Sequence, residues 1–561
     1  MLPKILIPDL VLQKLLSTPY IGDVVEASES LSLDYIQKIY SEKHSGKISD
    51  VIYKNTKEYS FFKISEEDEE LFLHFAADRQ QFKRSIIYAI IINPLNSLDL
   101  SENDIKIITS FFTIASLIDT LYICWRKEVV NTKIGKEFRS AKINPLSYRK
   151  EHGFCQTAGI NTILQEEETS IKEKTLHTVF PQITKRISEE LETLARKLLI
   201  SNANVEMINY INALEVLYEN DLVQNDIFIT KAINSIWLNL FPRFVPIHGM
   251  SVMEDPGNFI VTPEISLQMI DKRYEYINEG VKITRQNLLT FLTRKYGSST
   301  IIIKSIPLIA ATIALTYTKI LVGGRGLHTL IIGENPIAGN ALQKNQEGRI
   351  FIDYDAGKLQ WENEKTLLKK ILSEEQFSGL YSQLELSGDL FYTMSAINAA
   401  GQEFSRNIYF NEDLSSKILT DSNLFLRECQ AVFFSLASLA QNSSREQIHT
   451  SLLCQFASDI SLLLYKDDRT KQSQYQTAQI SLRAFENAKI LTKHENDYSF
   501  HFTKESVSLY LQTIEQLCDE LVQVYELEDE TWGSRFIEKY FSGDAMNSFL
   551  FDLFNRLQPE K

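Results

Sequence analysis

The chain has 561 residues, of which 44% are hydrophobic and 23% charged, and this composition excludes extended disorder. It carries 58 basic and 73 acidic residues, so its net charge of −15 argues against a broad nucleic-acid or anionic-membrane surface. The five cysteines form no CxxC pair, which excludes a disulfide framework and a cysteine-rich zinc site and favours a reducing compartment. At about 100–200 residues per domain, this length predicts roughly three domains.

The first predicted region, residues 1–142, is helical. Apolar residues recur at three- and four-residue spacing over Asp34–Tyr40, Glu67–Ala77 and Asp104–Trp125, and Ser101 precedes acidic residues as a helix N-cap does. The apolar segments Phe111–Trp125 and Ser305–Thr318 are each shorter than the roughly 20 residues that a membrane span needs. We therefore predict buried core helices, no transmembrane segment and no cleavable secretory signal.

The second predicted region, residues 143–373, mixes helices with short strands. A helical insertion is expected over about residues 165–240, and a buried helix over Ile306–Leu321. The next segment, Gly323–Gly357, holds seven of the 21 glycines, a density typical of tight turns and close backbone approach. The third region, residues 374–561, is predicted to be a helical domain because its amphipathic patterns are long and glycine is sparse.

A hairpin is predicted within the glycine-rich segment, from the strands Leu327–Ile332 and Arg349–Ile352. Antiparallel pairing would bring His328, near the start of the first strand, close to Asp353 at the end of the second. A carboxylate there can accept the imidazole N–H, which leaves the other ring nitrogen to act as a base. This pair predicts the base and the orienting carboxylate of a catalytic triad.

The candidate nucleophile is Cys155, which follows the turn His152-Gly153-Phe154 and lies in the first turn of a predicted helix. The helix N-terminus favours the thiolate, and its N–H groups can stabilise an oxyanion. The other four cysteines lie within apolar or amphipathic helical patterns, where a buried and inert thiol is usual. The predicted triad is therefore Cys155, His328 and Asp353.

The order of these three residues, and the segment Phe351–Gly357 around the aspartate, resemble the YopT-type papain-like cysteine proteases, a family of bacterial effectors and toxins. The resemblance implies an α+β fold, mostly helical, with a papain-like core and a small antiparallel sheet between N- and C-terminal helical regions. It also implies a strand at Lys358–Trp361 and a helix at Glu364–Leu372.

The activity that this resemblance implies is that of a thiol hydrolase, which cleaves a protein substrate without a cofactor. It further implies a bacterial virulence effector, either cytoplasmic or secreted without a cleavable signal into a host cell, where the substrate would be a host protein. No nucleic-acid partner is expected.

Two alternatives stay open at the level of sequence. Asn340, followed by a strand that ends in Asp353 and Asp355, imitates the spacing of magnesium ligands in kinase-like phosphotransferases. The other alternative is a non-enzymatic helical interaction protein, because most of the chain is amphipathic helix without a motif. The sequence leaves the substrate and the oligomeric state open.

Overall fold

The computed structural model describes residues 9–43, 64–140, 162–167, 170–240, 243–248, 262–270, 275–299, 313–327, 349–386, 421–465, 472–494, 497–526 and 548–558, with short pieces between them such as 151–154 and 333–334. The chain forms two compact units. Unit 1 comprises Met1–Asp271, Tyr317–Leu330 and Pro336–Ala341, and unit 2 comprises Lys272–Thr316, Ile331–Asn335 and Leu342–Lys561. The domain boundaries expected near residues 142 and 373 stay a prediction.

Unit 1 is built mainly from helices. They are α1 (Asp9–Leu16), α2 (Ile21–Lys43), α3 (Glu66–Ile91), α4 (Glu102–Trp125), α5 (Lys133–Arg139), α6 (Leu176–Val179), α7 (Pro181–Ile200), α8 (Val205–Glu219) and α9 (Val223–Leu238), with a π-helical turn at Arg126–Val130. The predicted N-cap of α4 is confirmed. Ser101 and Asp104 form a reciprocal capping box, which satisfies two backbone N–H groups at the start of the helix.

The core of unit 1 is centred on α4, which contacts α3, α7 and β4 (Glu264–Ile270). The segment Glu102–Val130 is long and apolar enough to cross a membrane by length and composition alone, with a mean hydropathy of 1.8. However, 61% of that apolar window is buried inside the protein. We therefore describe α4 as a core helix, as its sequence predicted.

The strands of unit 1 are all antiparallel. β1 (Thr162–Glu167) pairs with β2 (Ser170–Thr175), while β3 (Phe244–His248) pairs with β4, and β4 with β5 (Ile313–Gly324). The buried helix predicted over Ile306–Leu321 is wrong, because residues from Ile313 onward form β5. This segment is rich in β-branched and aromatic residues, and a short apolar run of that kind also suits a buried strand.

Unit 2 is also mostly helical. Its described elements are α10 (Glu275–Tyr296), β6 (Gly333–Glu334), β7 (Arg349–Asp353), α11 (Tyr354–Ile371), α12 (Glu374–Leu386), α13 (Asp421–Asn442), α14 (Arg445–Leu462), α15 (Gln472–Asn487), β8 (Leu491–His494), β9 (Asp497–Phe500), α16 (Lys504–Glu526) and α17 (Ser548–Leu557). β6 pairs with β7, and β8 with β9, both antiparallel. The strand predicted at Lys358–Trp361 is wrong, because α11 is continuous from Tyr354.

The coarse prediction of fold class is confirmed by these elements. The described residues are mostly helical and carry small antiparallel sheets, as an α+β protein of this composition should. The strand Arg349–Ile352 was also placed correctly, within one residue of β7.

Candidate functional site

Asp353 is the one member of the predicted triad that the structure describes. It ends β7 and caps α11, because its carboxylate accepts the backbone N–H of Ala356 at 3.0 Å, and it is 8% exposed. Cys155 and His328 lie outside the described residues, as does Asn340 of the phosphotransferase alternative. Whether the three triad residues meet therefore stays a prediction, while the visible contact of Asp353 is a helix cap.

The glycines at the end of β5 serve packing. A side chain on Gly323 would overlap the backbone of Ala115 in α4, and one on Gly324, which has a φ of +81°, would overlap the Pro263 carbonyl. The Gly324 N–H donates to Asp119 Oδ1 at 2.8 Å. These glycines let the end of β5 approach α4 closely, so their density does not mark a catalytic loop at this point.

Buried ion pairs hold the same end of β5 to the helices of unit 1. Arg84 pairs with Asp119 and donates to the Val322 carbonyl at 2.6 Å. Two further pairs, Glu69 with Arg126 at 2.8 Å and Glu264 with Arg325 at 2.6 Å, act on the Tyr122 hydroxyl. Burial is the largest influence there and raises the pKa of Tyr122 to about 12. Since each charge in these pairs has an opposite partner, the network is structural.

His248, at the end of β3, is the most strongly shifted histidine of the described chain. Burial lowers its pKa to about 4, so the imidazole is neutral near pH 7. Its Nδ1 shares a hydrogen bond of 3.2 Å with the Tyr218 hydroxyl, and its Nε2 has no hydrogen-bond partner. Burial is the one influence on the pKa of His248, and no acidic side chain adds to it. The ring therefore lacks the carboxylate that would support a catalytic base.

The outer edge of β3 is closed by side chains of neighbouring helices. Trp237 Nε1 of α9 donates to the Pro246 carbonyl at 3.0 Å, and proline has no N–H to offer. The backbone N–H of His248 contacts the Tyr210 hydroxyl of α8. Addition of a further strand to this edge is therefore blocked over the residues described.

The strongest candidate site is a group of buried polar side chains in unit 2, which we call the oxygen cluster. It comprises Glu364 of α11, Gln455 and Asp459 of α14, Ser481 of α15 and Tyr510 of α16, all at most 5% exposed. The helices follow one another in contact, α11 with α14, α14 with α15, and α15 with α16. Four helices therefore contribute oxygen atoms to one buried place.

Part of this cluster is satisfied by hydrogen bonds within the helices. Gln455 Nε2 donates to Asp459 Oδ1 at 2.8 Å, and Gln360 Nε2 donates to Glu364 Oε1, also at 2.8 Å. Ser461 Oγ donates to the same Glu364 oxygen at 3.2 Å. The bond from Ser461 to Glu364 joins α14 to α11, while the other two lie within one helix each.

The remaining polar atoms of the cluster are buried without a partner. Asp459 Oδ2, Ser481 Oγ and the Tyr510 hydroxyl oxygen are buried and have no close hydrogen-bond partner. Ser481 nevertheless lies close enough to lower the pKa of both Asp459 and Tyr510 through its hydroxyl group. Leaving a buried polar atom unpaired costs about 1–3 kcal/mol. The cluster is therefore costly to bury, which is unusual for a purely structural position.

The central acid of the cluster, Asp459, is shifted toward its neutral form. Burial is the main cause that raises the pKa of Asp459 well above its usual value, and the Glu364 carboxylate adds to this. Ser481 and Gln455 oppose the shift through neutral hydrogen-bonding groups. None of the described groups acting on Asp459 carries a positive charge, so no described cation offsets the cost of burying its charged form.

Sequence analysis missed this cluster, although one signal was present. Asp459 follows Gln455 by one helical turn, inside the largely buried second half of α14. An acid between apolar residues such as Phe456 and Ile460 is rarely buried, so it marks a special position. No local signal in the sequence indicates that Asp459 lies near Glu364, Ser481 and Tyr510, because these residues lie on other helices.

Comparisons with known proteins show similarity at the level of the fold. No family model matches the chain, and neither does any curated protein sequence. The solved structure of DPP III from Caldithrix abyssi is similar, with 12% sequence identity, a TM-score of 0.54, and coverage of 82% of this chain and 93% of that one. Dipeptidyl-peptidase III from Corallococcus sp. strain EGB gives 10% identity, a TM-score of 0.46, and coverage of 74% and 75%.

These comparisons correct the family prediction. The resemblance to YopT-type papain-like cysteine proteases is wrong, because the chain shares the fold of dipeptidyl-peptidase III, a zinc metallopeptidase. The prediction of a thiol protease with a papain-like core is wrong with it, and the expected role as a bacterial virulence effector loses its basis. The local likeness around Asp353 arose from a strand followed by an acid, which here starts a helix.

The zinc ion that this fold implies does not fit the described residues. Peptidase zinc sites use at least three His, Cys, Asp or Glu ligands, and no group of three such side chains in the described chain is placed to hold a metal. His449 of α14, for example, is engaged in other contacts. Its Nε2 accepts a hydrogen bond from Arg445 Nε at 3.4 Å, and its ring stacks on Phe502 at a centroid distance of 4.7 Å. Burial and the Arg445 charge lower the pKa of His449, and that charge would repel a cation.

Proposed function

We propose that this chain binds peptides on a dipeptidyl-peptidase-III-like fold and does not hydrolyse them through a zinc ion. The observation that supports this most strongly is a contrast. The fold likeness extends over most of both chains, whereas the described residues provide no three-ligand zinc set.

The physical basis is that a fold and its chemistry depend on different numbers of residues. The shape of a binding surface is set by packing over hundreds of positions, while metal-assisted hydrolysis depends on a few ligands around one ion. Loss of those ligands removes the Lewis acid but leaves the shape. A chain that keeps the fold at 12% identity can therefore keep peptide binding without peptidase activity.

The closed edge of β3 limits how a peptide can bind. Because Trp237 and Tyr210 already contact the outer backbone groups of that strand, a peptide cannot extend the sheet there. Binding should therefore depend on peptide side chains and termini at another surface.

The test uses the full chain and a pool of fluorescein-labelled peptides of about three to eight residues, a range matched to short extended ligands. Fluorescence anisotropy measures binding, mass spectrometry of the same samples measures cleavage, and elemental analysis measures zinc after dialysis against zinc chloride. We expect saturable binding that unlabelled peptide competes away, intact peptides, and zinc far below one ion per chain.

Two results would overturn the proposal. Release of dipeptides that stops on chelation and returns with zinc would show a working metallopeptidase. Absence of binding across the pool, with a correctly folded chain, would remove the peptide ligand altogether.

A further inference from the structure

Three large aliphatic side chains are exposed together in unit 1, where α7 turns into α8. Leu199 and Ile200 end α7, Val205 begins α8, and these residues are 63%, 83% and 61% exposed. We call them the aliphatic tip. Single exposed aliphatic residues are common on folded proteins, whereas several side by side indicate an interaction surface.

The pattern of α7 shows that this exposure departs from ordinary helix packing. From Gln182 to Lys197, every exposed position of α7 carries a polar or charged side chain, while its leucines in that range are buried. An amphipathic helix on a protein surface has this pattern throughout. Leu199 and Ile200 break it in the last turn, where they place two large apolar side chains in water.

The turn that carries the tip is held in one conformation. Asn202 has a φ of +52°, in the left-handed region, and its N–H donates to the Leu199 carbonyl at 3.2 Å. The Ala203 N–H donates to the Leu198 carbonyl at 3.0 Å. This pair of bonds is the Schellman arrangement, which satisfies two carbonyl groups at the end of α7.

The tip is also fixed to its surroundings. Asn204 caps α8 by accepting the Met207 N–H at 3.1 Å, and Ser201 Oγ donates to Asn103 Oδ1 in the first turn of α4 at 2.6 Å. A surface that is fixed before binding loses little conformational freedom when a partner covers it.

Two further exposed aliphatic residues lie at the same end of unit 1. Ile92 and Leu95, at 54% and 72% exposure, belong to the connection between α3 and the start of α4, which the tip contacts. At roughly 100 Å² for each of the five side chains, this end offers about 500 Å² of apolar surface. Two copies that pair here would bury about 1,000 Å² in all, at the lower limit of specific interfaces.

Charges of opposite sign flank the tip and indicate what covers it. Lys197 lies one turn before Ile200, Glu206 directly follows Val205, and both side chains are exposed. A lipid surface favours basic residues around an inserted apolar segment and disfavours a carboxylate there. A second copy of this chain, by contrast, offers an opposite charge to each of the two.

We propose that the aliphatic tip binds a second copy of this chain in a two-fold dimer, with α7 of each copy facing α8 of the other. The tip residues form its apolar centre, and two-fold symmetry makes the contact between Lys197 and the partner's Glu206 occur twice. The other two-fold arrangement, α7 against α7, would bring the two Lys197 side chains together, and like charges disfavour it.

The first experiment is sedimentation equilibrium of the full chain from about 1 to 200 µM, because an interface of about 1,000 Å² corresponds to a weak dimer. We expect the weight-average mass to rise from 64.5 kDa toward twice that value over this range. Flotation with phosphatidylcholine vesicles, run in parallel, measures binding to a lipid surface.

Substitutions in the tip test its role. Ile200→Asp places a charge in the apolar centre and should raise the dissociation constant at least about tenfold. Circular dichroism verifies its fold, and Leu199→Ser takes its place if it does not fold. The matched control is Val216→Asp, a 52% exposed valine about 16 Å further along α8 than Val205, which should associate as the wild type does.

A charge exchange tests the arrangement of the two copies. Lys197→Glu and Glu206→Lys each turn both attractive contacts of the dimer into repulsive ones, so each variant alone should associate about threefold to tenfold more weakly. An equimolar mixture of the two variants restores opposite charges at both contacts. Its association should therefore return to the wild-type level, and high salt should reduce the differences.

The proposal is overturned if the wild-type chain stays monomeric at 200 µM, whether it binds the vesicles or not. It is also overturned if Ile200→Asp, or Leu199→Ser in its place, associates as the wild type does, or if Val216→Asp weakens association equally. A mixture of the charge variants that associates no better than its components would refute the two-fold arrangement.

Discussion

Acidification should weaken unit 1 at His248, because this histidine is buried without charge. Its pKa is about 4 in the folded protein, against 6.5 for an unperturbed imidazole. As the pH falls below 6.5, the unfolded chain takes up a proton that the folded chain does not, so stability falls with pH until about pH 4. A difference of about 2.5 units at 1.36 kcal/mol each amounts to a loss of about 3 kcal/mol over this window.

The assay follows hydrogen exchange of peptides that contain Phe244–His248 between pH 7 and pH 4, corrected for the intrinsic rate. The local free energy of opening should fall in the wild type and stay nearly level in His248→Phe, which keeps a ring of similar size. The matched control is His74→Gln, an exposed histidine of α3. If His248→Phe lost protection as steeply as the wild type, the assignment of the pH dependence to this burial would be refuted.

Three further substitutions test the packing of the described elements. Gly324→Ala forces a side chain into a positive φ and against neighbouring backbone, so it should lower the free energy of unfolding by denaturant by at least about 2 kcal/mol. Its control is Gly379→Ala, in open space on α12, which should be neutral or stabilising by up to about 1 kcal/mol. Arg84→Met leaves the buried Asp119 carboxylate without its partner and should cost about 3–5 kcal/mol; a cost below about 1 kcal/mol would contradict the buried pairing. Asp353→Ala removes a helix cap and should lower stability by about 0.5–2 kcal/mol, measured as a shift in the unfolding midpoint; no shift would contradict that role.

Local signals in the sequence were sufficient for many helices. The capping box at Ser101, the helix over Asp104–Trp125 and the strand at Arg349–Ile352 follow from spacing and capping chemistry, which act over a few residues. The helix predicted over Ile306–Leu321 is wrong, because an apolar segment of this kind fits a buried helix and a buried strand equally well. A buried apolar segment of that length has no polar face, so its periodicity cannot distinguish a helix from the strand that forms from Ile313.

The family prediction failed for a related reason. The motif around Asp353 describes a strand followed by an acid, and that pattern also begins an ordinary helix when the acid caps it. A few matching residues cannot distinguish the two cases, whereas the path of the whole backbone can. The fold likeness to dipeptidyl-peptidase III depends on hundreds of backbone positions at only 12% identity.

The amino-acid sequence by itself determined that the chain is acidic, mostly helical and built around apolar helices such as α4, because composition and periodicity act locally. Only the tertiary structure decided that Glu364, Asp459, Ser481 and Tyr510 share one buried place. These residues come from four helices spread over nearly 150 positions, and their proximity results from helix packing, which no local pattern encodes.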